Sequence, residues 1–294
     1  MRNNISDYSS KGGKAFAKRL REDLNFRKVI IESRKKRRGT SWIKLASLKG
    51  VEVRRIIREN KHKRIQSNLL KKLEDEQTHL NIARLCGFLS GDGHIKARKD
   101  KRGWFHYEVR FYPDDLDVAK LFVSTFKELY EKEPSIVPLH NFYRVRAVSK
   151  VACDHLLNIS TYDTHTWKVP LFVLNNQKAQ IEFLRAIFDC EASVSKRNIQ
   201  FQSVNKKGIK ELQDLLKNMN IFSTIYSYKR SNPRWSVNYI LVVSRRENIK
   251  RYAEMIGFNH PIKRQKLNVL ADVPERLMGG SRKPVSVRTP RFES

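Results

Sequence analysis

Hydrophobic and polar positions beyond Thr78 alternate between two periods. Asn81-Ile-Ala-Arg-Leu-Cys-Gly-Phe-Leu and Ile181-Glu-Phe-Leu-Arg-Ala-Ile-Phe are apolar runs of helical length, almost free of charge until their ends. His106-Tyr-Glu-Val-Arg-Phe, Tyr143-Arg-Val-Arg-Ala and Ile199-Gln-Phe-Gln-Ser instead alternate strictly, as strands with one buried and one wet face do. In coarse order the elements read helix, two strands, helix, two strands, helix, and the same series starts again near Lys178. The pattern therefore predicts an α+β fold made of two copies, residues 78–176 and 177–270.

Ahead of these copies the pattern is wholly helical. Phe26 to Lys35 reads as a first helix, Trp42 to Lys49 as a second capped by Thr40 or Ser41 and stopped at Gly50, and Val51 to Asn60 as a third. Short helices split by a glycine turn have the layout of a helix-turn-helix, and residues 24–77 resemble its Cro-like repressor version. In that arrangement Arg54, Arg55 and Arg58 face a DNA groove, while Val53, Ile56 and Ile57 seat the helix. A basic helical bundle without base readout is the plainer alternative. Residues 1–23 and 271–294 read as flexible basic extensions.

Charge narrows the choice of partner. Lys and Arg number 60 against 30 Asp and Glu, a formal net charge of +30, in a chain of 294 residues that is still 40% hydrophobic. A field of that sign opposes compaction unless a polyanion neutralises it, and nucleic-acid phosphates do so with release of counterions. No apolar run reaches the ~18 residues of a spanning helix, and no signal peptide precedes the basic start, so no membrane partner is expected. Cys86, Cys153 and Cys190 are too few and too scattered for a disulfide framework or a zinc site. An intracellular, reducing location is expected: cytoplasm, nucleoid or organelle matrix, not secreted.

The wet strand faces carry side chains suited to DNA. They include Lys96, Arg98, His106, Arg110, Arg144 and Arg146 in the first copy, with His94 and Glu108 beside them. In the second copy Gln200 and Gln202 lie on the face, and Lys229, Arg230 and Arg234 near it. Arg and Gln reach base edges bidentately in a major groove; ordinary solvated strands would look similar.

Each apolar helix ends in one acid, Asp92 in Ser-Gly-Asp-Gly and Glu191 in Asp-Cys-Glu-Ala. A helix so poor in charge must be buried, and Cys86, Gly87 and Ala186 would let the two helices pack closely with their acids side by side. Adjacent carboxylates repel, so the arrangement favours a cation between them, and oxygen-only ligands favour magnesium or manganese. Such an ion on a scissile phosphate would make the chemistry phosphodiester hydrolysis.

Leu85-Cys-Gly-Phe-Leu-Ser-Gly-Asp-Gly and Leu184-Arg-Ala-Ile-Phe-Asp-Cys-Glu-Ala resemble the paired signature helices of the LAGLIDADG homing endonucleases, over roughly residues 79–270. The resemblance implies a pseudo-two-fold αββαββα duplication with two saddle-shaped antiparallel sheets gripping a long double-stranded DNA site as a monomer. It implies that Asp92 and Glu191 hold divalent metal and each serve one strand, cut across the minor groove to leave short 3′ overhangs. It also points to Lys168 and Lys266 as basic residues near the metals, and to Asn205 as a polar strand-end residue that holds solvent there, with Pro113 in the other copy. Ser90 departs from the family's first acid, and Ala192 from its terminal glycine, where a residue past a helix end often wants the left-handed conformation, so that either the second helix ends differently or that half is slightly strained. A regulator that binds DNA without cutting, and a maturase on intron RNA, are the competing readings; the pair Asp92 and Glu191 separates the first of these from an endonuclease.

Overall fold

The computed structural model describes residues 41–101, 103, 105–229, 232 and 234–272, with isolated positions 23, 25, 28 and 32 before them. Residues 1–22 and 273–294 of the two extensions, most of the helix expected from Phe26, and Arg230 lie outside the described residues.

The helix-turn-helix expectation meets a clear difference. Ser41–Lys72 is one helix of 32 residues (α1), and Gly50 sits inside it. A glycine in a helix interior costs only about 1 kcal/mol, and the good helix formers around it, Lys44, Leu45, Ala46, Leu48 and Lys49 before and Glu52, Arg54 and Arg55 after, outweigh that. Gly50 has neither a positive φ nor a crowded Cβ position that would demand a turn. Val53, Ile56 and Ile57, expected to seat a recognition helix, are 54%, 46% and 61% exposed. Arg54, Arg55 and Arg58 are exposed too, with Arg55 paired to Glu52 at 2.6 Å and to Glu59 at 3.9 Å.

The chain divides into two compact units, Met1–Lys63 and Arg64–Ser294. The end of α1 belongs to the second. Ile65 and Leu69 are buried there, Arg64 and Asn68 reach Glu131 at 3.0 and 2.7 Å, and Lys72 donates to the main-chain oxygen of Glu128 at 2.5 Å.

Within the second unit the expected duplication is present. The first repeat runs α2 (Glu76–Asp92), β1 (Gly93–Lys99), β2 (Phe105–Phe111), α3 (Leu116–Tyr130), β3 (Ser135–Pro138), β4 (Tyr143–Ala147) and α4 (Lys150–Ile159). A short helix α5 (Leu171–Leu174) leads to the second repeat: α6 (Gln177–Glu191), β5 (Ala192–Val194), β6 (Ile199–Ser203), α7 (Lys206–Asn218), β7 (Ser223–Tyr228), β8 (Asn238–Val243) and α8 (Arg246–Met255), closed by α9 (Pro261–Asp272). Each repeat forms an antiparallel four-stranded sheet of the same order, β1-β2-β4-β3 and β5-β6-β8-β7.

Side-chain oxygens start the two signature helices in the same way. Asp75 accepts from the Thr78 amide at 3.0 Å, and Asn176 from the Ala179 amide at 3.1 Å, each satisfying a donor that has no intrahelical partner. Both helices then pack on their own sheet through a ring on the next strand but one: Phe88 lies 5.0 Å from Phe111 and Phe188 lies 5.0 Å from Phe201. Phe122 extends the first cluster, and Tyr252 the second.

Candidate active site

The signature helices α2 and α6 pack against each other at backbone distance. A Cβ on Gly87 would stand 2.5 Å from the Phe183 carbonyl oxygen and 2.8 Å from the Ala186 Cβ, and one on Gly91 would stand 2.5 Å from the Cys190 Cβ. Gly87 and Ala186 thus act as expected. Gly91 and Cys190 form a second point of contact, nearer the acids, that the sequence pattern does not single out. Cys86 has another use: its sulfur lies 3.2 Å from the Tyr162 hydroxyl. Arg84 of α2 also grips Glu182 of α6 through Nε at 2.8 Å and Nη2 at 2.7 Å, both side chains being largely buried. A charge-assisted hydrogen bond, with a second close nitrogen on the same carboxylate oxygen, fixes the rotation of one helix on the other.

This packing brings Asp92 and Glu191 together. Burial pushes the Asp92 carboxyl up to about 6, with Lys263 opposing and Asp114 adding to the rise. Burial likewise lifts Glu191 to about 7; the Asp92 charge raises it further and Lys263 opposes. Asp92 is half-buried and Glu191 opens to solvent, and two carboxylates within each other's field form a site short of positive charge.

The helix ends revise the expectation about glycine. Gly93 and Ala192 both follow their helices in extended conformation, φ −102° and −87°, so neither is left-handed and Ala192 carries no backbone strain. Gly93 is required for space instead, since a Cβ there would stand 2.3 Å from the Leu89 Cα.

Three groups around the acids are not apparent from the sequence pattern. Lys263, in the first turn of α9, donates from Nζ to the carbonyl oxygens of Asp189 at 2.5 Å and Cys190 at 3.1 Å, so it caps the end of α6 beside Glu191. Asp189 accepts from the amides of Asn259 and His260, each at 3.0 Å, and from the Asn259 side chain at 2.9 Å, which fixes the segment carrying Lys263. Asp114, from the first repeat, lies 3.4 Å from Nε2 of the buried His260. In the first repeat Ser90 holds the place of Asp189, and its buried hydroxyl has no partner.

The other candidate residues are distributed differently. Lys266 is exposed, one turn beyond Lys263 on α9 and bordering Val194 and Lys196. Lys168 is exposed, and its carbonyl accepts from the Ser160 hydroxyl at 2.8 Å. Asn205 departs from its expected solvent-holding role: its side chain accepts from the Gly208 amide at 3.0 Å and donates to the Trp167 carbonyl at 2.6 Å. Both ends of that amide are occupied by capping α7 and holding the loop before α5.

From each acid the chain enters the polar face of a sheet. His94 stands opposite Arg110, Lys96 opposite Glu108, Arg98 opposite His106, and Arg110 opposite Arg146, so these side chains share one face as expected. Arg144 lies two residues before Arg146 on that same face. Glu108 is buried there, holding Arg110 at 2.6 Å and also pairing with Arg146, and these two cations keep its carboxyl below its usual range despite burial. His106 pairs with Asp100 at 2.9 Å. In the second sheet Gln200 and Gln202 occupy the corresponding face, with Lys229 and Arg234 exposed beyond the strand ends.

Comparison with known proteins matches this geometry. Residues 178–257 fit the family model of the LAGLIDADG-like domain. A stretch of 143 residues is 32% identical to "Homing endonuclease I-ApeI" of Aeropyrum pernix, covering 45% of this chain and 62% of that one. Another of 235 residues is 26% identical to "Glutamine--fructose-6-phosphate aminotransferase [isomerizing]" of Methanocaldococcus jannaschii, covering 77% of this chain but 20% of that one, so the chain spans about a fifth of that relative. Among solved structures, that of "I-DmoI in complex with DNA and Ca" superposes with a TM-score of 0.54 at 21% identity, over 66% of this chain and 100% of that one, which shows a common fold.

Proposed function

We propose, taking as premise that the chain belongs to the LAGLIDADG family, that it is a site-specific endonuclease hydrolysing both strands of a long duplex DNA site with divalent metal. The observation that carries this reading is the pair Asp92 and Glu191, one acid per repeat, at the ends of the packed helices α2 and α6, where loss of solvent around the carboxyls and their mutual repulsion hold their protons up to about 6 and 7. Nothing in the packing alone requires acids there, and both would be cheaper as neutral residues. A cation is what makes the pair favourable.

The donor set fits a hard divalent ion. Among the described residues no three His, Cys, Asp or Glu side chains form a closed metal cage, and an open pair of carboxylates leaves coordination positions for water and phosphate oxygens, as magnesium and manganese prefer. Asp92 and Glu191 would hold the metal, which when bound supplies an acidified water and a Lewis acid on the phosphate. Lys263 places a fixed ammonium beside both acids, where it tempers their repulsion and stands ready for charge developing on the phosphate. The basic face of the first sheet, starting two residues after Asp92, supplies phosphate and base contacts.

The DNA bound by I-DmoI in its solved complex, and the homing endonuclease of Aeropyrum pernix among the relatives, support this reading of partner and reaction. The test is cleavage of a pooled library of long genomic duplexes with magnesium and with EDTA, followed by sequencing of new ends. Magnesium-dependent ends at one site are expected. Tight binding without cutting would replace this reading with a DNA-binding regulator, and preference for structured RNA with a maturase.

A further inference from the structure

Counting outward from the two acids brings the sheets into register with each other. Gly93 pairs with Phe111 and Ala192 with Phe201, so Phe111 and Phe201 are equivalent. Phe111 pairs with Val145, and Phe201 with Leu241. On the polar face, Arg110 therefore corresponds to Gln200, Arg146 to Val242 and Arg144 to Ile240. At the same three places relative to the acids, the first repeat presents three guanidiniums and the second presents one amide and two aliphatic side chains.

Lys96 and Arg98 extend the charged face of the first sheet along β1. The outer strands β3 and β7 are alike, with Ser135 and Val137 opposite Arg146 and Arg144 where Thr224 and Tyr226 stand opposite Val242 and Ile240, so the difference in charge lies on the central strands. Tyr226 is 57% exposed, which leaves its ring free to pack on a ligand. On the charged face Glu108 fixes Arg110 and Arg146 in place while the Arg146 side chain remains 51% exposed, so the two guanidiniums are held in place before any ligand arrives. On the neutral face Asn238 donates to the Gln202 side-chain oxygen at 3.3 Å and to the Tyr228 hydroxyl at 2.9 Å, which holds the Gln202 amide two residues beyond Gln200.

From this asymmetry we infer that the two halves of the DNA site are read by different chemistry: the first sheet binds a half rich in G·C pairs, and the second binds a half rich in A·T pairs. The inference rests on the proposed DNA function. Arg recognises guanine O6 and N7 bidentately, Gln recognises adenine N6 and N7, and aliphatic or aromatic surface packs on the thymine methyl. The charged face also carries most of the salt dependence, because each phosphate neutralised adds about −0.9 to the slope of log K against log salt. Lys196 and Arg197 in the β5–β6 turn, with Lys229 and Arg234 beyond the other strands, place the phosphate anchors of the A·T half at its margin.

The test is selection of duplexes bound by the full chain from a randomised pool in EDTA, for the natural protein and for Arg110→Lys, Arg146→Ala, Gln200→Arg and Ile240→Ala. The expected natural site has one G·C-rich and one A·T-rich half. Arg110→Lys keeps the salt slope and loses about tenfold of its preference for a G·C pair in the first half, because an ammonium cannot make the two-pronged contact. Gln200→Arg shifts one A·T position of the other half to G·C and steepens the salt slope by about 1. Arg146→Ala, which removes a cation, flattens the slope, and Ile240→Ala relaxes a thymine without moving it. Two halves of equal base composition, or Gln200→Arg and Arg110→Lys altering the same half, would overturn the inference while leaving the endonuclease reading intact. A pool unenriched by the natural protein would overturn both.

Discussion

Lys263 reaches back from α9 to the main-chain oxygen of Asp189 at 2.5 Å, three residues after that aspartate's carboxylate has fixed the His260 amide at 3.0 Å. The two residues thus hold each other's backbones, and the ammonium is carried to within the field of both acids. Lys266, the candidate that the family resemblance suggests, is exposed one helical turn away.

Replacing Lys263 by Met removes the cation that lowers both Asp92 and Glu191, so their protons are held more tightly and the acidic limb of the pH–rate profile moves to higher pH. Two hydrogen bonds from a charged group are also lost, each with a net contribution of about 1.5–3 kcal/mol. Cleavage is expected to fall at least about tenfold at neutral pH, with part of it regained by raising the pH, while Lys266→Met stays near the natural rate. Equal losses in the two variants would return Lys266 to the site.

Asp92→Asn and Glu191→Gln keep the side-chain shape and remove the charge. Each is expected to abolish coordinated double-strand cleavage, with affinity changed by less than about 1 kcal/mol, the scale of a single exposed contact. Removing one of two neighbouring like charges lifts their repulsion, so metal-free stability is expected to rise slightly. Comparing cleavage with binding on one duplex checks this. Undiminished double-strand cutting by either variant would remove the assignment.

How far the sequence spoke depended on the length scale of the signal. The duplicated order of elements, the two acids and the polar strand face were legible because they are local: period, charge and position along one segment. Lys263 and Asp114 were not, since they meet the acids only through tertiary packing, one from α9 and one from a loop of the other repeat. Asn205 misled for a related reason. A strand-end asparagine suits a solvent contact and a helix cap equally, and only the position of the Gly208 amide at 3.0 Å decides for the cap. Gly50 was read as a stop signal, although a glycine flanked by strong helix formers is a weak one.

Gly93 and Ala192 offer a test of why the signature ends as it does. Gly93→Ala would drive a Cβ to 2.3 Å from the Leu89 Cα, and overpacking of this kind costs about 1–3 kcal/mol or more. Ala192→Gly relieves nothing, because that backbone is already extended at φ −87°, and it should cost about 0.5–1 kcal/mol through the freedom of the unfolded chain. Chemical denaturation of both variants checks the contrast. If Gly93→Ala proved neutral and Ala192→Gly stabilising, conformation and not space would govern these positions.

Metal and pH are linked through the same acids. Asp92 and Glu191 hold their protons up to about 6 and 7 in the folded protein, against 3.8 and 4.5 for the free groups. Raised carboxyl values mean that the folded state binds protons more tightly than the unfolded state. Their stabilising contribution is therefore complete below about pH 4 and disappears as the pH rises through 6 to 7, where the pair becomes doubly charged. A divalent cation needs the deprotonated pair, so its stabilisation must grow over that same interval. Thermal unfolding with and without magnesium or manganese should show almost no shift near pH 5 and a rise of several degrees near pH 8, a 1 kcal/mol gain being worth about 2–4 °C in a domain of this size. In Asp92→Asn the pH dependence should flatten along with the metal effect. A metal-induced rise of the same size at both pH values would mean that the ion binds elsewhere, and would separate these acids from the cation they are proposed to hold.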